Sequence, residues 1–296
     1  MPISDNARGA IYMNVSMAAF TLNDTAMKLV TQTLPLFEAI ALRGVLALSG
    51  LLLLGAAMGA LRFRVSKGDG WAIAIRSVAE VGGTVLFLGA LIHMPLANLS
   101  AILQALPLAV TLAAAVVFRE TIGWRRMAAI LIGFVGVLII IRPGPDGFSV
   151  WSLMGLGSVA CVVVRDLATR RLSRDVPSVT VAVWAAVAVT VMGLLVTSVQ
   201  GWTPVNGAEA ALIAAAAAAL LFGYLFAVMV MRVGDISFVA PFRYTALIWA
   251  LVLGWLFFDE IPDGLTLMGA ALVVATGIFT LLRERRLGKR PLPARV

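Results

Sequence analysis

Asn14, Met17, Thr21, Asp24 and Lys28 recur at alternating steps of three and four, so on a helix they form one face. That face offers an amide, a thioether, a hydroxyl, a carboxylate and an ammonium, the groups that hold a polar solute by hydrogen bonds and charge. Two readings stay open for Asp24: contact with a solute or gate, or a pair with Lys28 one turn on. Arg76, Glu80 and Thr84 follow at four-residue steps, with Gly82 and Gly83 allowing a close neighbour. Glu80 either pairs with Arg76 or, in an apolar setting, binds a solute ammonium or takes up a proton.

Ser100, Gln104, Pro107 and Thr111 share a further face, and Pro107 is expected to bend its helix by removing a backbone donor. Gln104 suits an amino acid as a neutral ligand, or an interhelical hydrogen bond. Ser158, Cys161 and Arg165 line up beside Asp166; Arg165 either steers a carboxylate, pairs with Asp166 or snorkels to an interface. Phe238, Phe242, Thr245 and Trp249 make an aromatic stripe with Arg243 adjacent and Tyr224 on the preceding segment. It reads either as packing or as a pocket for an apolar ring carrying a carboxylate. The candidate lining residues are thus Asn14, Met17, Thr21, Asp24, Glu80, Thr84, Gln104, Ser158, Tyr224, Phe242, Arg243 and Trp249.

Polar groups this sparse need an apolar frame. Hydrophobic residues make up 61% of the 296-residue chain, charged residues 13%, and mean hydropathy is +1.00, so the solvent for most of the chain is lipid. Ten stretches are long and apolar enough to cross a bilayer: 10–31, 35–59, 71–92, 95–118, 124–142, 149–171, 177–200, 208–232, 236–258 and 264–283. The candidate site residues fall on the first, third, fourth, sixth, eighth and ninth. Gly- and Pro-rich turns such as Pro143-Gly144-Pro145-Asp146-Gly147 join the spans, and the loops are too short for a soluble domain. Met1 to Gly9 runs into a full span without a small-residue cleavage pattern, so no removable signal peptide is expected.

The net charge of +8 sits in short clusters between spans, which reads as membrane orientation and not as nucleic-acid binding. With the N-terminus inside, the inner segments hold nearly all the Lys and Arg outside the spans, and the outer segments only Lys28 and Arg142. Both termini are therefore expected in the cytoplasm, in a bacterial inner membrane. One histidine, His93, and one cysteine, Cys161, exclude a His-based metal site and an internal disulfide, and no cofactor is expected.

The second half of the chain repeats the first at an offset of about 140 residues. Asp24 and Lys28 align with Asp166 and Arg170, Pro35 with Pro177, Gly83 with Gly223, Phe118-Arg119-Glu120 with Phe258-Asp259-Glu260, and Gly136 and Arg142 with Gly277 and Arg283. Five spans per half is an odd number, which inserts the halves with opposite topology. Inverted repeats rock about a central site in many transporters.

With its two five-span halves and the segments Phe118-Arg119-Glu120-Thr121-Ile122-Gly123-Trp124 and Phe258-Asp259-Glu260-Ile261-Pro262, each followed by a Gly-containing apolar helix, the chain resembles the EamA family of the drug/metabolite transporter superfamily. Ala128 departs from the pattern where the second half has Gly269. The resemblance implies an all-α membrane protein with repeats over 1–142 and 149–296, the second ending in a basic tail. It also implies outward movement of small organic metabolites, and within the superfamily the chain looks most like the aromatic amino-acid exporters. Other metabolites and drugs, such as nucleosides and cationic drugs, are the alternative. The expected partners are the solute and the bilayer, with the chain a monomer or weak homo-oligomer.

Two other classes compete. An intramembrane enzyme needs a nucleophile with a base, a metal site or a carboxylate dyad, and the chain has neither Gly-x-Gly-Asp nor His-Glu-x-x-His. A channel needs a continuous polar pore, whereas the polar residues here are clustered.

Overall fold

The computed structural model describes residues 4–59, 61–119, 123–142, 149–173, 175–230 and 236–288, and among them all the regular structure is helical, with no strand. In chain order come α1 (Asp5–Val30), α2 (Leu36–Ala57), α3 (Lys67–His93), α4 (Leu96–Leu103), α5 (Leu106–Phe118), α6 (Trp124–Ile141) and α7 (Val150–Arg170). Then follow α8 (Ser178–Gln200), α9 (Gly207–Val230), α10 (Ile236–Val239), a 3-10 turn over Ala240–Tyr244, α11 (Thr245–Phe258) and α12 (Gly264–Gly288). Glu120, the turn 143–147, Arg174, Arg232, Gly234-Asp235 and the basic tail beyond 288 lie outside the described residues.

Serine caps and prolines mark six of the helix starts. Ser4, Ser66 and Ser149 each accept a hydrogen bond from a backbone N–H three residues on, and Pro35, Pro95 and Pro177 occupy N-cap positions where no helical donor is lost. The fourth expected span breaks at Gln104–Ala105, with Pro107 in the first turn of α5. The ninth breaks through the 3-10 turn that carries Pro241. Both interruptions fall on the fourth segment of a half.

Nine of the described helical segments, α2 onward with α4–α5 and the 3-10 turn–α11 each read as one, are long and apolar enough to cross a membrane. The chain is thus a multi-pass membrane protein. Its outer surface is apolar: Leu53, Val78, Val116 and Leu195 stand exposed, as side chains facing lipid do. The remaining helix, α1, is long enough at 26 residues but carries Asn14, Ser16, Asn23, Asp24 and Lys28. It is packed inside the bundle, against α9 and α11.

The most extensive helix contacts join one half of the chain to the other: α1 with α9, α3 with α7, α2 with α8 and α6 with α12. Exchanging the halves exchanges α1–α9 with α7–α3 and returns the other two pairs to themselves. Matching residues fill matching places. Gly83 of α3 lies against Cys161 and Ser158 of α7, and Gly223 of α9 against Phe20 of α1, its carbonyl accepting from the Ser16 hydroxyl at 2.8 Å. Lys28 lies 4.7 Å from the Phe258 ring centre, and Arg170 5.6 Å from that of Phe118. Arg119 and Asp259, which end α5 and α11, are both left-handed, with φ of 56° and 54°. At the α6–α12 crossing, a Cβ on Gly136 would lie 2.8 Å from the Gly269 carbonyl oxygen, and one on Gly269 2.7 Å from that of Gly136.

Candidate functional site: a charged cavity between the halves

Two helices with small residues on facing stripes approach closely and leave room beside the contact. Where α2 crosses α8, beside Gly44, lies a cavity of about 180 Å³ bounded also by α1, α3 and α9. Much of its wall is apolar side chain, and Ala182, Ala185, Ala186 and Val189 of α8 form one continuous face of it. The rest is polar or charged: Asn23 and Asp24, Arg43, Glu80 and Thr84, Thr190 and Tyr224.

Glu80 is held from two helices. Its Oε2 lies 3.7 Å from Arg76 Nη2, one turn back on α3, and its Oε1 3.4 Å from Arg165 Nη1 of α7. Arg165 also pairs with Asp166 at 3.0 Å, and Arg76 donates to the Thr169 hydroxyl at 3.1 Å. Two guanidiniums and two carboxylates therefore offset one another.

Arg43 and Asp24 are arranged differently. Arg43 Nη1 donates to Asn23 Oδ1 at 3.1 Å, and Asn23 Nδ2 donates to Asp24 Oδ1 at 2.9 Å, so an amide stands between opposite charges. Arg43 is only 7% exposed, and its Nε has no hydrogen-bond partner. Thr190 Oγ1, 4% exposed as a residue, and Glu80 Oε2 are likewise buried without one. Glu80 Oε2 keeps its ion pair with Arg76, so Arg43 Nε and Thr190 Oγ1 are the two atoms without any partner in residues that line this cavity, an arrangement that a bound polar molecule would relieve.

At one end of the bundle, one turn beyond Asp24, Lys28 Nζ donates to Glu260 Oε1 at 2.5 Å and to the Met94 carbonyl at 2.8 Å. Glu260 Oε2 accepts from the Leu96 N–H at 2.8 Å. This latch joins α1, the α3–α4 turn and the end of α11. Beyond it opens a cleft edged by Gln32, His93 and Trp255. Arg142, which ends α6, pairs with Asp263 before α12. That hydrogen bond first, then those from the Thr266 N–H and side chain, holds the Asp263 carboxyl below the usual carboxylate range.

Of the twelve candidate lining residues, Asp24, Glu80, Thr84 and Tyr224 border the cavity. Asn14 instead accepts from Trp249 Nε1 at 2.8 Å, tying α1 to α11. The Met17 carbonyl accepts from the buried Thr21 hydroxyl, and Ser158 donates to the Gly155 carbonyl. Gln104 is buried at the α4–α5 break. Phe242 borders a separate groove between the 3-10 turn, α11 and α12, and Arg243 beside it is exposed. The fourth, sixth and ninth expected spans contribute nothing to this cavity, and α2 and α8 take their place. Lys28 finds Glu260 and not Asp24. Arg43, Asn23 and Thr190 are the additions; the signal for Arg43 was a cation in the middle of a largely apolar span.

A charged cavity between two interlocked halves of a membrane-embedded helical bundle is the architecture of a small-molecule carrier. The EamA-like transporter family model matches the chain twice, over residues 7–142 and 149–282. The chain belongs to this family and is a small-molecule transporter, not an enzyme. It is 31% identical over 224 residues to a riboflavin transporter of Vibrio cholerae, a match covering 75% of this chain and 74% of that one. It is 26% identical over 280 residues to a pseudopaline exporter of Pseudomonas aeruginosa, covering 91% and 94%. An S-adenosylmethionine uptake transporter of Rickettsia prowazekii is 23% identical over 210 residues, covering 69% and 71%. A protein crystal structure shares the fold, with TM-score 0.63 and 21% identity over 93% of this chain and 98% of that one.

Proposed function

We propose that the protein is a secondary transporter of the bacterial inner membrane that moves small organic metabolites outward by alternating access. In this reading α1 is the tenth span, both termini are cytoplasmic, and the halves 1–142 and 149–296 are inverted five-span repeats around the central cavity. The chain works as a monomer or weak homo-oligomer. The observation that carries the reading is the position of the cavity: its walls come from helices that pair across the halves, with the Lys28–Glu260 latch beyond one end. Rocking one half against the other would open that latch and expose the cavity to the opposite side. Outward movement is supported by the near full-length match to an exporter.

The solutes that suit the cavity are amino acids with apolar or aromatic side chains: one charged pole, one smooth apolar wall, and room for about six waters at roughly 30 Å³ each. A second reading, a flavin, is favoured by the 31% identity to a riboflavin transporter and requires a wider opening than the present one. The test is counterflow in liposomes holding the purified full chain, with labelled L-phenylalanine, L-leucine and riboflavin. Saturable accumulation of the amino acids supports the first reading, and of riboflavin alone the second. Failure of a broad metabolite panel, with a related exporter active alongside, would overturn the carrier assignment.

A further inference from the structure

We propose that Asn23 holds Arg43 and Asp24 apart so that the cavity presents a separated cation and anion to its solute. That solute is amphoteric, with its anionic group on Arg43 and Thr190 and its cationic group on Asp24. The inference rests on the carrier reading of the same cavity and adds the chemistry of the ligand and the residues that hold each end of it.

Opposite charges in a site of low dielectric attract strongly and collapse into contact unless something stands between them. Here the Asn23 amide does, accepting from Arg43 with its oxygen and donating to Asp24 with its nitrogen. Each charge is oriented by one hydrogen bond and keeps capacity for more. The remaining charges about the cavity are spoken for, since Glu80, Arg76, Arg165 and Asp166 pair among themselves. Arg43 and Asp24 are therefore the two left to meet a ligand.

The unsatisfied atoms agree in kind and place. Arg43 Nε is a donor lacking an acceptor, and Thr190 Oγ1 is a hydroxyl lacking either; both are buried atoms of residues that line the cavity. A carboxylate spans two donors at once, and a guanidinium recognises it better than any neutral group does. A solute with an anion alone would leave Asp24 uncompensated, and one with a cation alone would leave Arg43 so. Either costs more than a matched pair when the site is sealed from water. The alanine face of α8 then receives an apolar side chain, and its lack of bulk sets the size that fits.

The test uses the detergent-purified full chain, with affinities from calorimetry for riboflavin and for three probes of one shape: L-phenylalanine, phenethylamine, which lacks the carboxylate, and 3-phenylpropionate, which lacks the ammonium. The wild type is expected to bind phenylalanine about thirty-fold or more tighter than either analogue. Arg43→Gln should erase the preference over phenethylamine and keep that over 3-phenylpropionate, and Asp24→Asn should do the reverse. Asn23→Leu, which lets the charges collapse, should weaken phenylalanine while the protein stays folded. The analogue series on the unaltered protein decides the matter even if a variant fails to fold. Equal binding of all three probes, or tight binding of riboflavin with none of phenylalanine, overturns the amphoteric site and leaves the carrier reading standing. Binding that follows the prediction without transport in liposomes overturns the carrier reading alone.

Discussion

Lys28 and Glu260, 232 residues apart in the chain, meet at 2.5 Å and close one end of the bundle. Their side chains are 9% and 21% exposed, so neither charge is fully hydrated. Removing one partner leaves the other charge partly buried and unpaired, which costs about 3 kcal/mol. Glu260→Gln should lower the melting temperature and loosen this end, read as faster labelling of a cysteine placed at Gln32. The exchanged pair Lys28→Glu with Glu260→Lys should recover part of the loss; no recovery would mean that the contact is incidental.

The α6–α12 crossing has no slack, because the atom facing each glycine is backbone and cannot rotate away. Gly136→Val and Gly269→Val should each destabilise the protein by about 1–3 kcal/mol through overpacking. Gly68→Ala is the contrast. Its Cβ would meet only Ser66 Oγ at 3.8 Å in the first turn of α3, so the change should be neutral or stabilising by up to about 1 kcal/mol. Melting temperatures of the three variants check both signs.

Acid should weaken the join between α6 and α12. Asp263 has its folded pKa depressed, chiefly by the Arg142 hydrogen bond, so its contribution is fully present above the unfolded value of about 3.9. It is lost as pH falls below that value toward the lower folded one. A melting-temperature profile from pH 8 to pH 3 should therefore be flat for this group to about pH 5 and fall below pH 4. Asp263→Asn should remove that part of the acid dependence and leave the rest.

Arg243 is exposed and Phe242 borders an outer groove, so neither touches a solute in the central cavity. Arg243→Ala and Phe242→Ala should leave solute affinity within about twofold of the wild type. Ala186→Phe, which places a ring in the cavity wall, should abolish binding while the protein folds. A selective loss of aromatic solutes in Phe242→Ala would put the pocket in the wrong place.

The apolar spans and turns were legible because length and hydropathy act locally, and the prolines at 35, 95 and 177 mark helix starts on their own. The repeat was legible through matched positions such as Pro35 with Pro177 and Gly83 with Gly223. Helical spacing found the faces bearing Asp24, Glu80 and Thr84 but could not say which other helix each face meets. Trp249 thus read as a pocket residue although it satisfies Asn14. The partner of Lys28 was hidden for the same reason, since Asp24 one turn away is the local choice and Glu260 comes from the other half. Asn23 falls outside the face that helical spacing picks out on the first span, and only the fold shows it spanning Arg43 and Asp24.

Alternating access requires one cavity between the halves to open in turn to each side of the membrane. Thr84 borders that cavity, and in a Cys161→Ser background Thr84→Cys gives a single reporter there. Labelling it with a membrane-impermeant maleimide, in right-side-out and in inside-out vesicles, measures access directly. Reaction from both sides is expected, with protection by bound solute in each. Labelling from one side alone, complete under conditions of active transport, would contradict it.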